Sequence, residues 1–410
     1  MPLRGKLLVG QSGGCTPVIN ATLAGVIAQA RRTSAVTAVW GMRHGIEGIF
    51  KREIIDLRRQ PDGLLRRIAR SPSAALGSCR RKLKPGEEAE IIGFFRREDI
   101  RCFVYIGGND SADTAHRLAR AAREAQYDLR VVSAPKTIDN DLPLTDHTPG
   151  FGSTARFIAA VVADVGLDTE AMSTVDPVKI IEVMGRNAGW LAASAALAKR
   201  EERDAPQFIW PPEVPFDERK FLALVRHWLR RVGFCVAVVG ETVRDRNGKP
   251  VAQQEGRIDV DAFGHPRTVG AAEYLCGLVR ERLGVRARWD KPGTIQRMSS
   301  AHFSPVDLRE ARACGAWAVR FAARGRTDCM VIMRRRPGSA YRIVYDTAEL
   351  RAIANTEKLL PEEWFDRRTM LPTAEFTRYA KPLVGPGLPE HPRLAETRVA
   401  PAPSARRNVE

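Results

Sequence analysis

Residues 101–141, RCFVYIGGNDSADTAHRLARAAREAQYDLRVVSAPKTIDND, decide the fold class. Arg101–Ile106 is a short apolar run rich in β-formers, the pair Gly107 and Gly108 interrupts it, and Asn109, Asp110 and Ser111 are residue types that start helices. An amphipathic pattern then runs to about Ala125, and a second buried-looking strand, Arg130–Ala134, ends in the loop PKTIDND. Strand, glycine turn, helix, strand is the grammar of a mostly parallel sheet covered on both faces.

Outward from this unit the grammar recurs. Toward the N-terminus, Lys6–Gly10 (KLLVG) precedes the turn QSGGCT, and Pro17–Arg32 carries Val18, Ile19, Leu23, Val26 and Ile27 at helical spacing. Toward the C-terminus, Val178–Met184 leads into GRNAG and a helix from about Trp190 to Lys199, and Phe234–Val239 and Asp328–Met333 add two strands. The class is α/β. Such sheets place ligands outside the carboxyl ends of their strands, where every loop just quoted sits.

With 410 residues, 44% of them hydrophobic and 28% charged, the chain can bury two or three cores without staples. The seven cysteines are scattered and never form a CxxC pair, which argues against a disulfide framework or zinc ribbon. No apolar run approaches the roughly 20 residues of a membrane helix, and Met1–Lys6 has no secretory core, so a cytoplasmic protein with no membrane partner is expected. Lys+Arg 65 against Asp+Glu 48 gives +17, a field that draws polyanions, phosphorylated metabolites included. No aromatic-interleaved basic cluster accompanies it, so no nucleic-acid partner is expected. Residues 376–410 are rich in Pro, Ala and Arg and read as a disordered tail.

The loops carry candidate chemistry. Gly13 and Gly14, between a strand and a helix, let backbone N–H groups face an anion, although glycines also serve a turn alone. Asn109, Asp110 and Ser111 are equally helix caps. PKTIDND is richer, with one ammonium (Lys136), one hydroxyl (Thr137) and two carboxylates (Asp139, Asp141). Phosphoryl transfer needs that set: a cation for the moving charge, a carboxylate for a hydroxyl proton, and oxygens for Mg²⁺. A turn held by Asx hydrogen bonds is the alternative. Arg186 ends a strand and suits a phosphate, Glu241 could hold sugar hydroxyls, and Arg288 and Arg297 add fork donors, each of which could instead be surface charge.

The ordered series GQSGG, LGSCRR, GGNDS, PKTIDND, EVMGRNAGW, GET and GTIQR resembles the phosphofructokinase family over roughly residues 6–340. The resemblance implies two Rossmann-like lobes with mostly parallel sheets and interleaved segments: 1–150 plus about 296–345 for the donor, 151–295 plus about 346–375 for the sugar phosphate. It implies phosphorylation of the 1-hydroxyl of fructose 6-phosphate with Mg²⁺ as cofactor. Asp139 resembles the base, flanked by Thr137 and Asp141; Met184, Gly185 and Arg186 resemble the sugar-phosphate segment, and Glu241 the sugar-hydroxyl ligand. Arg297 and Arg288 resemble phosphate-binding arginines, one of which crosses between subunits in the family, implying a homodimer or homotetramer. Gly13, Gly14, Arg80 and Ser111 fall at the donor phosphates, with Asn109 and Asp110 as candidate metal ligands.

Two positions bear on the donor. ATP-using members carry Gly where this chain has Asp110 and Lys136, and pyrophosphate-using members carry Asp and Lys there. A carboxylate beside a nucleotide's α-phosphate repels it by about 1 kcal/mol at 4 Å in water and roughly 4 in a partly buried site. Pyrophosphate is the expected donor, so the reaction should be reversible. Alternatives are an ATP-dependent 6-phosphofructokinase and a non-catalytic sugar-phosphate-binding paralogue. The departures from the family are Cys15 and Asn109, where Asp is usual, Thr294, where many members have His or Tyr, and QRMSSAHFSP in place of QRGGSP.

Overall fold

The computed structural model describes residues 4–252, 259–260, 266–267, 270–338 and 340–395. The strands of its two main sheets are, in chain order, β1 (Gly5–Gln11), β2 (Val36–Met42), β3 (Ile54–Asp56), β4 (Ile100–Gly107) and β5 (Arg130–Pro135). Then come β6 (Val178–Val183), β7 (Phe208–Trp210), β8 (Cys235–Gly240), β9 (Ala287–Asp290), β10 (Cys329–Arg335) and β11 (Ile343–Glu349). The larger sheet has the order β11-β10-β5-β4-β1-β2-β3, parallel except at its two edges. The smaller, β9-β6-β8-β7, is parallel throughout. The larger sheet draws on chain both before and after the stretch 178–290 that forms the smaller one, so the lobes are interleaved.

Packed around them are helices α1 (Ile19–Arg31), α2 (Asn109–Glu124), α3 (Phe151–Ala171), α4 (Trp190–Ser194), α5 (Pro305–Ala323) and α6 (Ala374–Val384). Alternate residues of the larger sheet feed two buried layers: Leu7, Val9, Val104 and Ile106 pack with α1 and α5, while Leu8, Phe103, Tyr105 and Val131 pack with α2. That double burial is why these strands read as unbroken apolar runs. Among the described residues, no helix is long and apolar enough to cross a membrane.

Three expectations need adjustment. The helix after GRNAG is α-helical only over α4 and continues as a 3₁₀ turn, Ala195–Ala198. β11 stays in the larger sheet to Glu349, past the expected crossing near residue 345. The disordered tail from residue 376 is corrected as far as residue 395. Phe376, Tyr379, Ala380, Leu383 and Val384 recur at helical spacing and join the core of the smaller sheet. Beyond them, Arg156 donates to the carbonyls of Val384, Pro386 and Gly387 at 3.0, 2.6 and 2.9 Å. Arg393 pairs with Glu170 and Asp204, each at 2.8 Å. Residues 396–410 of that stretch lie outside the described residues.

Candidate active site

Strand register decides which loops meet. Gln11 lies opposite Ile106 and Gly107 opposite Pro135, so the turns after β1, β4 and β5 leave the larger sheet side by side. Val183 lies opposite Gly240, which sets Met184–Arg186 beside Glu241 at the same end of the smaller sheet. All five loops line one cleft of about 410 Å³. A larger groove of about 800 Å³, between helix Glu87–Arg97 and α2, includes none of them.

One wall of the cleft is a cation cradle. Gly13 has φ +76°, and a Cβ there would stand 3.1 Å from Lys136 Nζ. A Cβ at Gly14 would stand 2.8 Å from Arg297 Nη1 and 3.9 Å from Arg80 Nη2. The glycines thus leave open a space that three cations reach, a geometry suited to a compact polyanion. Lys136 is only 3% exposed, donates to the Gly14 carbonyl at 2.7 Å, and has its pKa pushed down by burial to about 8. Gly108, Ser111 and Cys15 line the same region. Asp110 stands in the first turn of α2, 3.8 Å from Lys82 Nζ.

The opposite wall is acidic, with Asp141 buried and Asp139 and Glu241 half-buried. Asp139 N–H donates to Thr137 Oγ1 at 3.1 Å, and burial raises the Asp139 pKa against the opposing pull of Arg186, Lys136 and Arg297. Burial, then the charge of Asp139, lifts Asp141 to about 7. Glu241 Oε1 accepts the N–H groups of Gly185 (3.3 Å) and Arg186 (3.0 Å), and burial raises its carboxyl too. Those two N–H groups converge because Gly185 and Arg186 both adopt positive φ, +138° and +49°. Met184 N–H donates to Gln296 Oε1 at 3.2 Å, tying this turn to the segment that carries Arg297.

Arg288 is not brought to this cleft. On β9 it lies opposite Lys179 at the entry end of β6, away from the carboxyl ends, and its guanidinium pairs with Asp176 at 2.7 Å. Two lining residues carry no sequence signal: Asn355 and Glu357. The chain around them passes from Leu350, buried with the larger sheet, to Leu360, buried with the smaller, and so crosses the cleft. Asn355 Nδ2 donates to Asp113 on α2 at 3.4 Å, and Asn187 Nδ2 donates to Glu357 at 3.0 and 3.2 Å. No motif marks such a crossing; only the interleaving of the lobes creates it.

Asn109 Nδ2 donates to Asp141 Oδ2 at 3.4 Å, while its Oδ1 is buried without a hydrogen-bond partner. That orphaned acceptor beside Asp110 suits a hard cation. Among the described residues no three His, Cys, Asp or Glu side chains are grouped to hold a metal. The orphaned Asn109 Oδ1 and the neighbouring Asp110 carboxylate are compatible with Mg²⁺, which binds through few protein oxygens and keeps waters and substrate phosphates as its other ligands.

Known proteins similar to this chain give its kinship. The family model for phosphofructokinase matches residues 6–322. A protein of Xanthomonas campestris pv. campestris named pyrophosphate–fructose 6-phosphate 1-phosphotransferase is 40% identical, covering 97% of each chain. A Rhodospirillum rubrum protein of the same name is 37% identical over 97% of this chain and 98% of its own. The crystal structure of a pyrophosphate-dependent phosphofructokinase from Nitrosospira multiformis superposes with a TM-score of 0.85 at 36% identity, covering 95% of this chain and 94% of that one. Likeness of this extent, in sequence and in fold, settles kinship: the chain belongs to the phosphofructokinase family.

Proposed function

We propose that the protein reversibly transfers a phosphoryl group from pyrophosphate to the 1-hydroxyl of fructose 6-phosphate, giving fructose 1,6-bisphosphate and phosphate. The observation that carries this reading is the donor wall, where buried Lys136 sits in a glycine-lined space reached by Arg80 and Arg297, with Asp110 lining the same cleft. A small polyanion gains three cations there, whereas a nucleotide would bring its α-phosphate against a carboxylate.

Asp139 accepts the proton of the sugar hydroxyl, and Lys136 neutralises charge on the transferring group as a point cation. Thr137 and Asp141 flank the base; Met184, Gly185 and Arg186 hold the sugar phosphate, and Glu241 the sugar hydroxyls. Gly13, Gly14, Arg80, Ser111 and Arg297 receive phosphate oxygens. Asn109 Oδ1 and Asp110 would hold Mg²⁺, which when bound would neutralise phosphate charge. The larger sheet belongs to a donor lobe, about 1–150 plus 296–349, and the smaller to a sugar-phosphate lobe. The protein acts in the cytoplasm as a homodimer or homotetramer. In that assembly Arg288, remote from its own chain's cleft, serves a neighbouring subunit.

The deciding experiment measures fructose 6-phosphate phosphorylation with each donor. Brisk turnover with pyrophosphate and little with ATP is expected; the reverse pattern overturns the reading. Replacing Asp110→Gly together with Lys136→Gly should raise ATP use, and an unchanged ATP rate would show that these positions do not govern the donor.

A further inference from the structure

Between the two aspartates of the PKTIDND loop stands Asn140, wholly buried, with φ +59°. Its Nδ2 donates to Tyr379 Oη at 2.8 Å and its Oδ1 accepts the N–H of Thr148 at 3.1 Å. The Tyr379 hydroxyl in turn donates to the carbonyl of Asp146 at 2.8 Å. Asp146 is itself anchored: Oδ1 accepts from His147 Nδ1 at 2.8 Å and from Arg335 Nη2 at 3.0 Å, and His147 Nε2 meets Glu310 Oε2 of α5 at 2.8 Å. The tyrosine, the histidine and their anchors all lie outside the cleft.

We propose that Tyr379, on the C-terminal helix α6, is a positioning residue for the reaction: through Asn140 it holds the backbone that aims Asp139 and Asp141 into the cleft. A left-handed Asn between two functional side chains is a backbone state that its surroundings must enforce. The surroundings here are two hydrogen bonds, one to the loop's own Thr148 and one to Tyr379. Without the tyrosine hydroxyl the Nδ2 of Asn140 is buried unpaired, and the loop gains a reason to rearrange. Misplacement of reacting groups by about 1 Å costs turnover by up to about a hundredfold while substrate binding at other contacts persists. The inference rests on the proposed catalytic role of this loop.

The test compares Tyr379→Phe with the wild-type protein, assayed in parallel with pyrophosphate and fructose 6-phosphate. The expected result is a kcat lowered about tenfold with both KM values within about twofold. Asn140→Gly, which keeps the positive φ and removes both contacts, should lower kcat likewise, and Tyr379→Phe added to it should cost nothing more. Tyr127→Phe is the structural control: its hydroxyl lies 3.0 and 2.7 Å from the carbonyls of Phe95 and Ile100, in the core of the larger sheet. It should lower the melting temperature and leave kcat alone. A Tyr379→Phe protein with kcat within twofold of wild type, or a double variant whose losses multiply, overturns the proposal. Should Tyr379→Phe not fold, Asn140→Gly decides alone by the same twofold criterion. If the wild-type protein turns over only with another donor, the pyrophosphate reading fails, and the same comparison with that donor still decides the role of Tyr379.

Discussion

Lys136 and Asp139 face each other with opposite requirements. In the proposed reaction the lysine serves as an ammonium with its pKa lowered to about 8, so kcat/KM for pyrophosphate should fall as pH rises through about 8. The aspartate, as the proposed base, must be a carboxylate, and its pKa is raised by burial, so activity should fall as pH drops, at a higher pH than an ordinary aspartate would dictate. A pH profile of kcat/KM checks both limbs, and Lys136→Arg should abolish the basic one, because a guanidinium stays charged. A basic limb that survives in that variant would assign it to another group. Asp139→Asn should lower kcat by about 10²- to 10⁴-fold with modest KM changes. The charge of Glu357 adds to the raised pKa of Asp139. Glu357→Gln should therefore move the acid limb to lower pH. A shift upward would refute that electrostatic picture.

Elements reach the cleft only through close packing. Helices α1 and α5 cross where a Cβ at Gly25 would stand 2.0 Å from the carbonyl oxygen of Arg312, and one at Gly315 equally close to that of Thr22. Backbone cannot yield as a flexible side chain can. Gly25→Ala or Gly315→Ala should each cost about 1–3 kcal/mol, read as a lower urea midpoint with little change in m. At the turn after β1 the same substitution acts differently: Gly14→Ala points a methyl at Arg297 and should raise KM for pyrophosphate while stability holds. Equal stability loss in Gly14→Ala and Gly25→Ala would remove the distinction between a packing glycine and a cradle glycine.

The whole molecule depends on chain that returns late. α6 packs against α3 and α5 and places Phe376, Leu383 and Val384 in the core of the smaller sheet. Burying each such side chain contributes about 1.5–3 kcal/mol, so removing all of them approaches the 5–15 kcal/mol that holds a typical domain. Truncation after Thr373 should abolish cooperative thermal unfolding. Arg393→Ala, which removes only half-buried ion pairs, should cost about 1 kcal/mol or less and leave turnover intact. A truncated protein that melts like the full chain would show that α6 is dispensable to the fold.

Local chemistry wrote much of this in advance. Apolar runs located β1, β4, β5, β6, β8 and β10 to within a residue or two, though not β2, β7 or β9, because burial on both faces and the breaking of a strand are short-range demands. The same loops carry Lys136, Asp139 and Arg186, which the fold brings to one cleft. Tertiary structure alone decided the rest. Arg288 lies away from its own chain's cleft because register, not spacing, sets where along a sheet a strand residue falls. Asn355 and Glu357 entered the cleft because the chain happens to cross between lobes there. α6 left the expected tail because a Pro- and Arg-rich segment still buries five side chains when a core is waiting for them. Properties carried by neighbours in sequence are readable in sequence; those carried by residues two hundred positions apart exist only once the chain has folded.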